Sequence, residues 1–165
     1  MLEVCLCKLK EDIEIDYALR LADIGSWYYI TAIVIFAVIW VVSKKWNLGL
    51  LAGFFFLIFA VTIFSRKEGA GWYELVPFWS YGHPELREEI ILNIILFIPI
   101  GLLGGKDLGW KIIPIAAAVS ITIEIIQLVT GRGLTEFDDV FHNTLGAAIG
   151  FGAYVVGRKT MEKGE

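Results

Sequence analysis

Residues 27–43 read WYYITAIVIFAVIWVVS, a run without a single formal charge. At 1.5 Å per residue it reaches about 25 Å as a helix, close to the hydrocarbon thickness of a bilayer. Trp27, Tyr28 and Tyr29 sit where aromatic side chains gather at head-group level, Ser26 is placed to cap the first turn, and Lys44 and Lys45 end the run. This pattern is that of a membrane span, and it recurs along the chain.

Working outward, further apolar blocks fall at 48–64, near 90–104, from about 114 to 130, and at 140–157. The expected fold is therefore all-α, a polytopic membrane bundle of about five transmembrane helices. The bulk values agree: 57% of the 165 residues are hydrophobic and the mean hydropathy is +0.68, above the roughly 45–50% apolar content of soluble domains. Residues 1–25 alternate charge with Ile13, Tyr17, Leu21 and Ile24, which predicts an interfacial amphipathic helix. The bundle then occupies 26–157, and 158–165 form a C-terminal tail. Glu11, Asp12, Glu14 and Asp16 precede the first apolar block, so no cleavable signal is expected.

The net charge of −4 is dispersed, with no basic run to follow a phosphate backbone, which excludes nucleic acid as the expected partner. Cys5 and Cys7, one residue apart, form neither a disulfide framework nor a zinc ligand set. No cofactor and no metal site is expected, although Asp138 with His142, and Asp139 with Asn143, are spaced four apart on a helix. His83, in a Gly-His-Pro turn, reads as a loop residue.

Five spans place the N-terminus and the loops 65–89 and 131–139 on one side, the motif side. Asn93 then enters its span there, Glu124 and Gln127 approach the end of theirs, Asn143 enters the last, and Arg66 and Arg132 flank them. A charged side chain deep in a bilayer costs about 2.5–3.5 kcal/mol on insertion scales, so Glu124 requires pairing with Arg66 or Arg132, or a proton. Ser120, Glu124 and Gln127 share one helical face.

Catalysis, if present, is expected from Glu124, Asp138 and Asp139, and binding from Arg66, Asn93, Gln127, Arg132, His142 and Asn143. Plain alternatives stand beside these roles: hydrogen-bonded glue between helices for Asn93 and Gln127, snorkelling for the arginines, and helix capping for Asp138 with Thr135 three residues before it. Gly146 and Gly150 form a small-residue face for helix packing and for a second copy of the chain.

Lys and Arg number seven on each side of the bundle. Setting Arg66 and Arg132 aside as site residues leaves the excess on the opposite side, which turns the motif side outward from the plasma membrane.

Asn93-Ile-Ile-Leu-Phe97-Ile-Pro99-Ile-Gly101, then Glu124-Ile-Ile-Gln127, Gly131-Arg132-Gly133, Asp138-Asp139 and Asn143-Thr-Leu-Gly146, with Arg66 and Pro77-Phe78, resemble the VanZ-like family in order and spacing over residues 62–157. The family takes its name from a protein associated with resistance to teicoplanin, a glycopeptide antibiotic with a lipid tail. The resemblance implies an envelope role near lipid, a lipid-linked cell-wall precursor or a lipoglycopeptide, as a binding protein or as a membrane enzyme using Glu124 as acid or base on an anionic head group; a small transporter is a third reading.

Overall fold

The computed structural model describes residues 25–64 and 73–164. The expected interfacial segment up to residue 24, the two cysteines and Arg66 lie outside the described residues.

Among the described residues, five helices carry the fold. Helix α1 is Ser26–Ser43, and α2 is Trp46–Phe59, prolonged by a π turn over Ala60–Phe64. Helix α3 is Arg87–Leu108, α4 is Ile112–Thr130 and α5 is Phe137–Gly164. Two short strands, β1 (Tyr73–Glu74) and β2 (Thr135–Glu136), pair in parallel and join the two motif-side loops.

Among the described residues, four uninterrupted helical stretches are long and apolar enough to cross a membrane: Ser26–Ser43, Trp46–Phe64, Arg87–Thr130 and Phe137–Lys163. The count is one below the expected five, because α3 and α4 join through a helical turn, Gly109–Lys111, with no extended loop between them. That stretch of 44 residues would measure about 66 Å if straight. It is not straight: Gly109 takes φ +58°, and Ile112 comes back to lie against Gly104.

Several boundaries move from those expected. Ser26 is the first helical residue and makes no capping bond; Gly25 occupies the cap position. Helix α3 starts at Arg87, preceded by tight turns at Trp79–Gly82 and Pro84–Leu86, and Pro99 sits inside it without ending it. Helix α5 continues past Gly157 to Gly164, so 158–164 extend the last helix.

Glycines set how closely the helices approach. A Cβ on Gly49 would lie 2.7 Å from the Phe36 carbonyl oxygen, and one on Gly53 would lie 3.0 Å from that of Ala32, so α1 and α2 pack antiparallel with backbones nearly touching. Between α3 and α5 the fit is tighter still. A Cβ on Gly146 would overlap the Ile94 carbonyl, one on Gly150 that of Ile98, and one on Gly101 that of Ala147. The pairs 94 with 146 and 98 with 150 ascend together, so α3 and α5 run parallel, and α4 returns the chain between them. Gly146 and Gly150 thus pack against α3 of the same chain, as a small-residue packing face would.

The core between the helices holds Leu51, Ile58, Phe97, Ile100, Ile112, Ala116, Ile123 and Ala147. Large apolar side chains also cover the outside, among them Val42 at 77% and Val129 at 80% exposure. Buried polar side chains meanwhile gather inside at one end. Such an exterior is unfavourable in water and natural in lipid.

At the opposite end, Lys45 pairs with Asp107 at 2.5 Å and Asn47 donates to the same carboxylate, tying the α1–α2 turn to the end of α3.

Overpacking the α3–α5 contact with Gly150→Val is expected to destabilise the protein by about 1–3 kcal/mol. Gly152→Ala, where the added methyl group meets nothing within 4 Å, should leave stability unchanged or slightly raised. Thermal unfolding of both variants in detergent checks this pair.

Candidate functional site

The parallel course of α3 and α5, with α4 running antiparallel to both, brings the start of α3, the end of α4 and the start of α5 to one end of the bundle. Asn93, Ser120, Glu124, Gln127, Asp138, His142 and Asn143 are all buried there, each at 6% exposure or less. The residues singled out in the sequence therefore meet, apart from Arg66, whose position is not described. Asp139 and Arg132 are half-buried beside them.

Each side chain reaches a different element. Asn93 Nδ2 on α3 donates to Asp139 Oδ1 on α5 at 2.6 Å. Asn143 Nδ2 on α5 donates to Ser120 Oγ on α4 at 2.9 Å. Gln127 Nε2 on α4 donates to the carbonyl of Thr62 in the π turn of α2 at 3.0 Å. Together these amides cross-link four helices around one polar centre. The helical pairs Asp138 with His142 and Asp139 with Asn143 share a face, but their hydrogen bonds go outward to other elements.

Glu124 holds the β2 corner. Its Oε2 accepts from the backbone N–H of Glu136 at 2.9 Å, and its own carbonyl accepts from Thr135 Oγ1 at 3.2 Å. Thr135 thus serves Glu124 and does not form the capping arrangement expected with Asp138. Gly131 at φ +64° and the Arg132 N–H bonded to the Gln127 carbonyl at 3.0 Å end α4 and turn the chain toward β2.

Asp138 holds the other loop. Oδ1 accepts from the Phe78 N–H at 2.6 Å, and Oδ2 accepts from the Ser80 N–H at 2.9 Å and from Ser80 Oγ at 2.5 Å. Phe78 has φ +61°, a left-handed conformation that costs a non-glycine residue about 1–2 kcal/mol. A buried carboxylate bonded to its amide offsets that cost, since charge-assisted bonds are about twice as strong as neutral ones.

The loop so pinned is aromatic and open. Phe78 packs edge-on against both Tyr81 and Phe141, yet Phe78 and Tyr81 are each more than half exposed. Beneath them, the Tyr81 hydroxyl lies 3.1 Å from His142 Nε2. His83 stays in the loop, its ring tilted against that of Trp79 and its Nδ1 3.1 Å from that residue's carbonyl.

Sequence reasoning passed over Glu136, Ser80 and Thr62. Glu136 is buried at 7% exposure. Its place in Thr-Glu-Phe-Asp-Asp was a usable signal, as an acidic residue directly before a motif pair. The Thr62 carbonyl carried none, because a backbone acceptor looks the same at every position.

Among the described residues, no group of three or more His, Cys, Asp or Glu side chains is arranged to hold a metal ion. What the centre offers is hydrogen bonding: buried amides, an imidazole and carboxylates, under an aromatic surface at the level where a helix bundle meets head groups.

These features define a membrane protein with a polar site at one end of an apolar helix bundle. Residues 27–158 match the model of the VanZ/LLP1 family, and the chain belongs to that family. Over 95 residues it is 38% identical to Protein VanZ of Enterococcus faecium, covering 54% of this chain and 56% of that protein. The aligned part thus spans little more than half the length of that relative. No solved structure matches the chain.

Removing the Asp138 carboxylate leaves two loop amides without their acceptor, at about 1–3 kcal/mol for each buried group. Asp138→Ala should therefore accelerate hydrogen exchange at Phe78 and Ser80 by about tenfold or more. Exchange in the middle of α3 should stay unchanged, as mass spectrometry of deuterium uptake would show.

Proposed function

We propose that this chain is a multi-pass plasma-membrane protein that binds the head group of an amphiphile at the buried polar centre: a lipid, a lipid-linked cell-wall precursor or a lipoglycopeptide of the teicoplanin type. One observation carries the reading. Amide and carboxylate side chains of α3, α4 and α5 are buried together directly under an exposed aromatic loop, so a polar centre and an amphipathic contact surface stand side by side. In this reading Phe78 and Tyr81 take the boundary between head group and tail. Arg132, with Arg66, offers forked donors to a phosphate or carboxylate. Asp138 acts as a positioning residue for the loop, since its lone pairs serve Phe78 and Ser80. Kinship with Protein VanZ supports protection against a lipid-tailed glycopeptide.

The test is expression in a susceptible Gram-positive host. The expected outcome is a raised inhibitory concentration for teicoplanin and none for a glycopeptide without a lipid tail. An equal rise for both, or no rise, ends the proposal.

A second reading, acid–base catalysis on the head group, rests on the burial of Glu124 inside α4. Glu124→Gln keeps an oxygen to accept from the Glu136 N–H and removes the ionisable proton. Under the binding reading the variant still protects; protection lost in a folded variant moves the assignment to catalysis.

For the orientation, the motif side faces outward. A cysteine at position 67, in a chain freed of Cys5 and Cys7, should react with an impermeant maleimide in intact cells. Labelling only after lysis reverses the assignment.

A further inference from the structure

The end of the bundle away from the polar centre is rich in bases. Lys44, Lys45, Lys106, Lys111, Arg158 and Lys159 are all exposed there. Among the described residues, the carboxylates at that end are Asp107 and Glu162, which pair with Lys45 and Arg158. The second of these pairs is exposed on both sides, and such pairs are weak enough for the guanidinium to take another partner. Bases outnumber acids, so this end presents a cationic surface.

Tertiary structure draws several of these bases to one level. A Cβ on Gly105 would meet the Tyr154 ring, so α5 lies against α3 at that point. Lys106 follows Gly105 directly, and Arg158 follows Tyr154 by one turn on the same face of α5. Ile112 lies against Gly104, which brings Lys111 to the same height. Trp110, beside Lys111 in the α3–α4 turn, is 66% exposed, and Trp46, beside Lys45, is 52% exposed. About one turn further into the helices the exposed side chains are apolar, as at Leu50, Ile115 and Val156.

Depth decides the partner. Tryptophan gathers at head-group level, and lysine and arginine lay their stems along apolar surface while their charged tips reach the rim. The tips therefore stand where lipid phosphates stand. A soluble polyanion would meet the same charges but would make no use of the tryptophans or of the apolar band beneath them. Charge then separates anionic from zwitterionic lipid: each Lys or Arg near an anionic membrane surface is worth about fivefold in binding, within about 8 Å at physiological ionic strength.

We propose that the α3–α4 turn, with Lys106, Trp110 and Lys111, joins Arg158 to form a binding site for an anionic phospholipid such as phosphatidylglycerol. The bases hold the phosphate, and the Trp110 ring lies against the glycerol and the first acyl carbons. This site is separate from the polar centre and independent of the function proposed for it. It accords with a motif side that faces outward, since the cytoplasmic leaflet carries the negative surface potential.

The test offers the detergent-purified full chain mixed micelles of phosphatidylglycerol and phosphatidylcholine, in equal parts with matched acyl chains, and counts retained lipid by native mass spectrometry. Phosphatidylglycerol should be preferred by about tenfold or more at low salt, and by less at high salt. Lys111→Gln alone should lower the preference by about fivefold, and replacing Lys106, Lys111 and Arg158 together by Gln should remove it. Arg87→Gln, which removes an exposed base at the motif end, should leave it unchanged. Equal retention of both lipids by the wild-type chain, a preference that the triple variant keeps, or an equal loss with Arg87→Gln overturns the proposal. Should the triple variant fail to fold, Lys111→Gln and Arg158→Gln are measured singly, and a preference unchanged in both overturns it as well.

Discussion

The near-contact of the α3 and α5 backbones across Gly101, Gly146 and Gly150 governs the arrangement of the rest. Two parallel helices cannot be joined by a short turn, so α4 must bring the chain back, and doing so places its C-terminal end beside the starts of both neighbours. Were α3 and α5 held apart by ordinary side chains, Asn93 and Asp139 would not sit at 2.6 Å. Close helix approach through small residues is the usual means of association where lipid removes the hydrophobic force between helices. In this protein it also builds the polar centre.

Once that end is assembled, polar groups do two kinds of work. Asn93, Asn143 and Gln127 bind helix to helix, while Glu124 and Asp138 reach beyond the helices to hold backbone N–H groups of the loops. A loop at the membrane surface has few neighbours to order it. A buried carboxylate receiving several donors supplies the order locally, which is why Phe78 can remain in a left-handed conformation with its ring exposed. Order in the loop and exposure of its aromatic rings are therefore one arrangement: the anchor lies inside, the contact surface outside.

The two ends of the bundle differ in kind. At the far end, Lys45 and Asn47 on Asp107 close a tight hairpin against α3. The motif end carries amides, carboxylates and an imidazole, with three polar atoms unmatched.

Much of this was legible in the sequence. Blocks such as 27–43 and 48–64 mark helices for lipid because hydrophobicity adds up along a segment and needs no partner. The side on which Asn93, Glu124, Gln127 and Asn143 lie followed from counting those segments, and the structure brings these residues together. The α3–α4 turn, the β1–β2 pairing, the service of Thr135 to Glu124 and the choice of α3 as the partner of Gly146 and Gly150 were not legible. Each depends on which atoms of distant residues meet, and a spacing of three or four along one helix is blind to the helix opposite. Sequence by itself determined the solvent of each helix and the end at which its polar groups emerge; tertiary structure alone decided their partners, because a hydrogen bond is set by distance and direction between two elements and not by the composition of either.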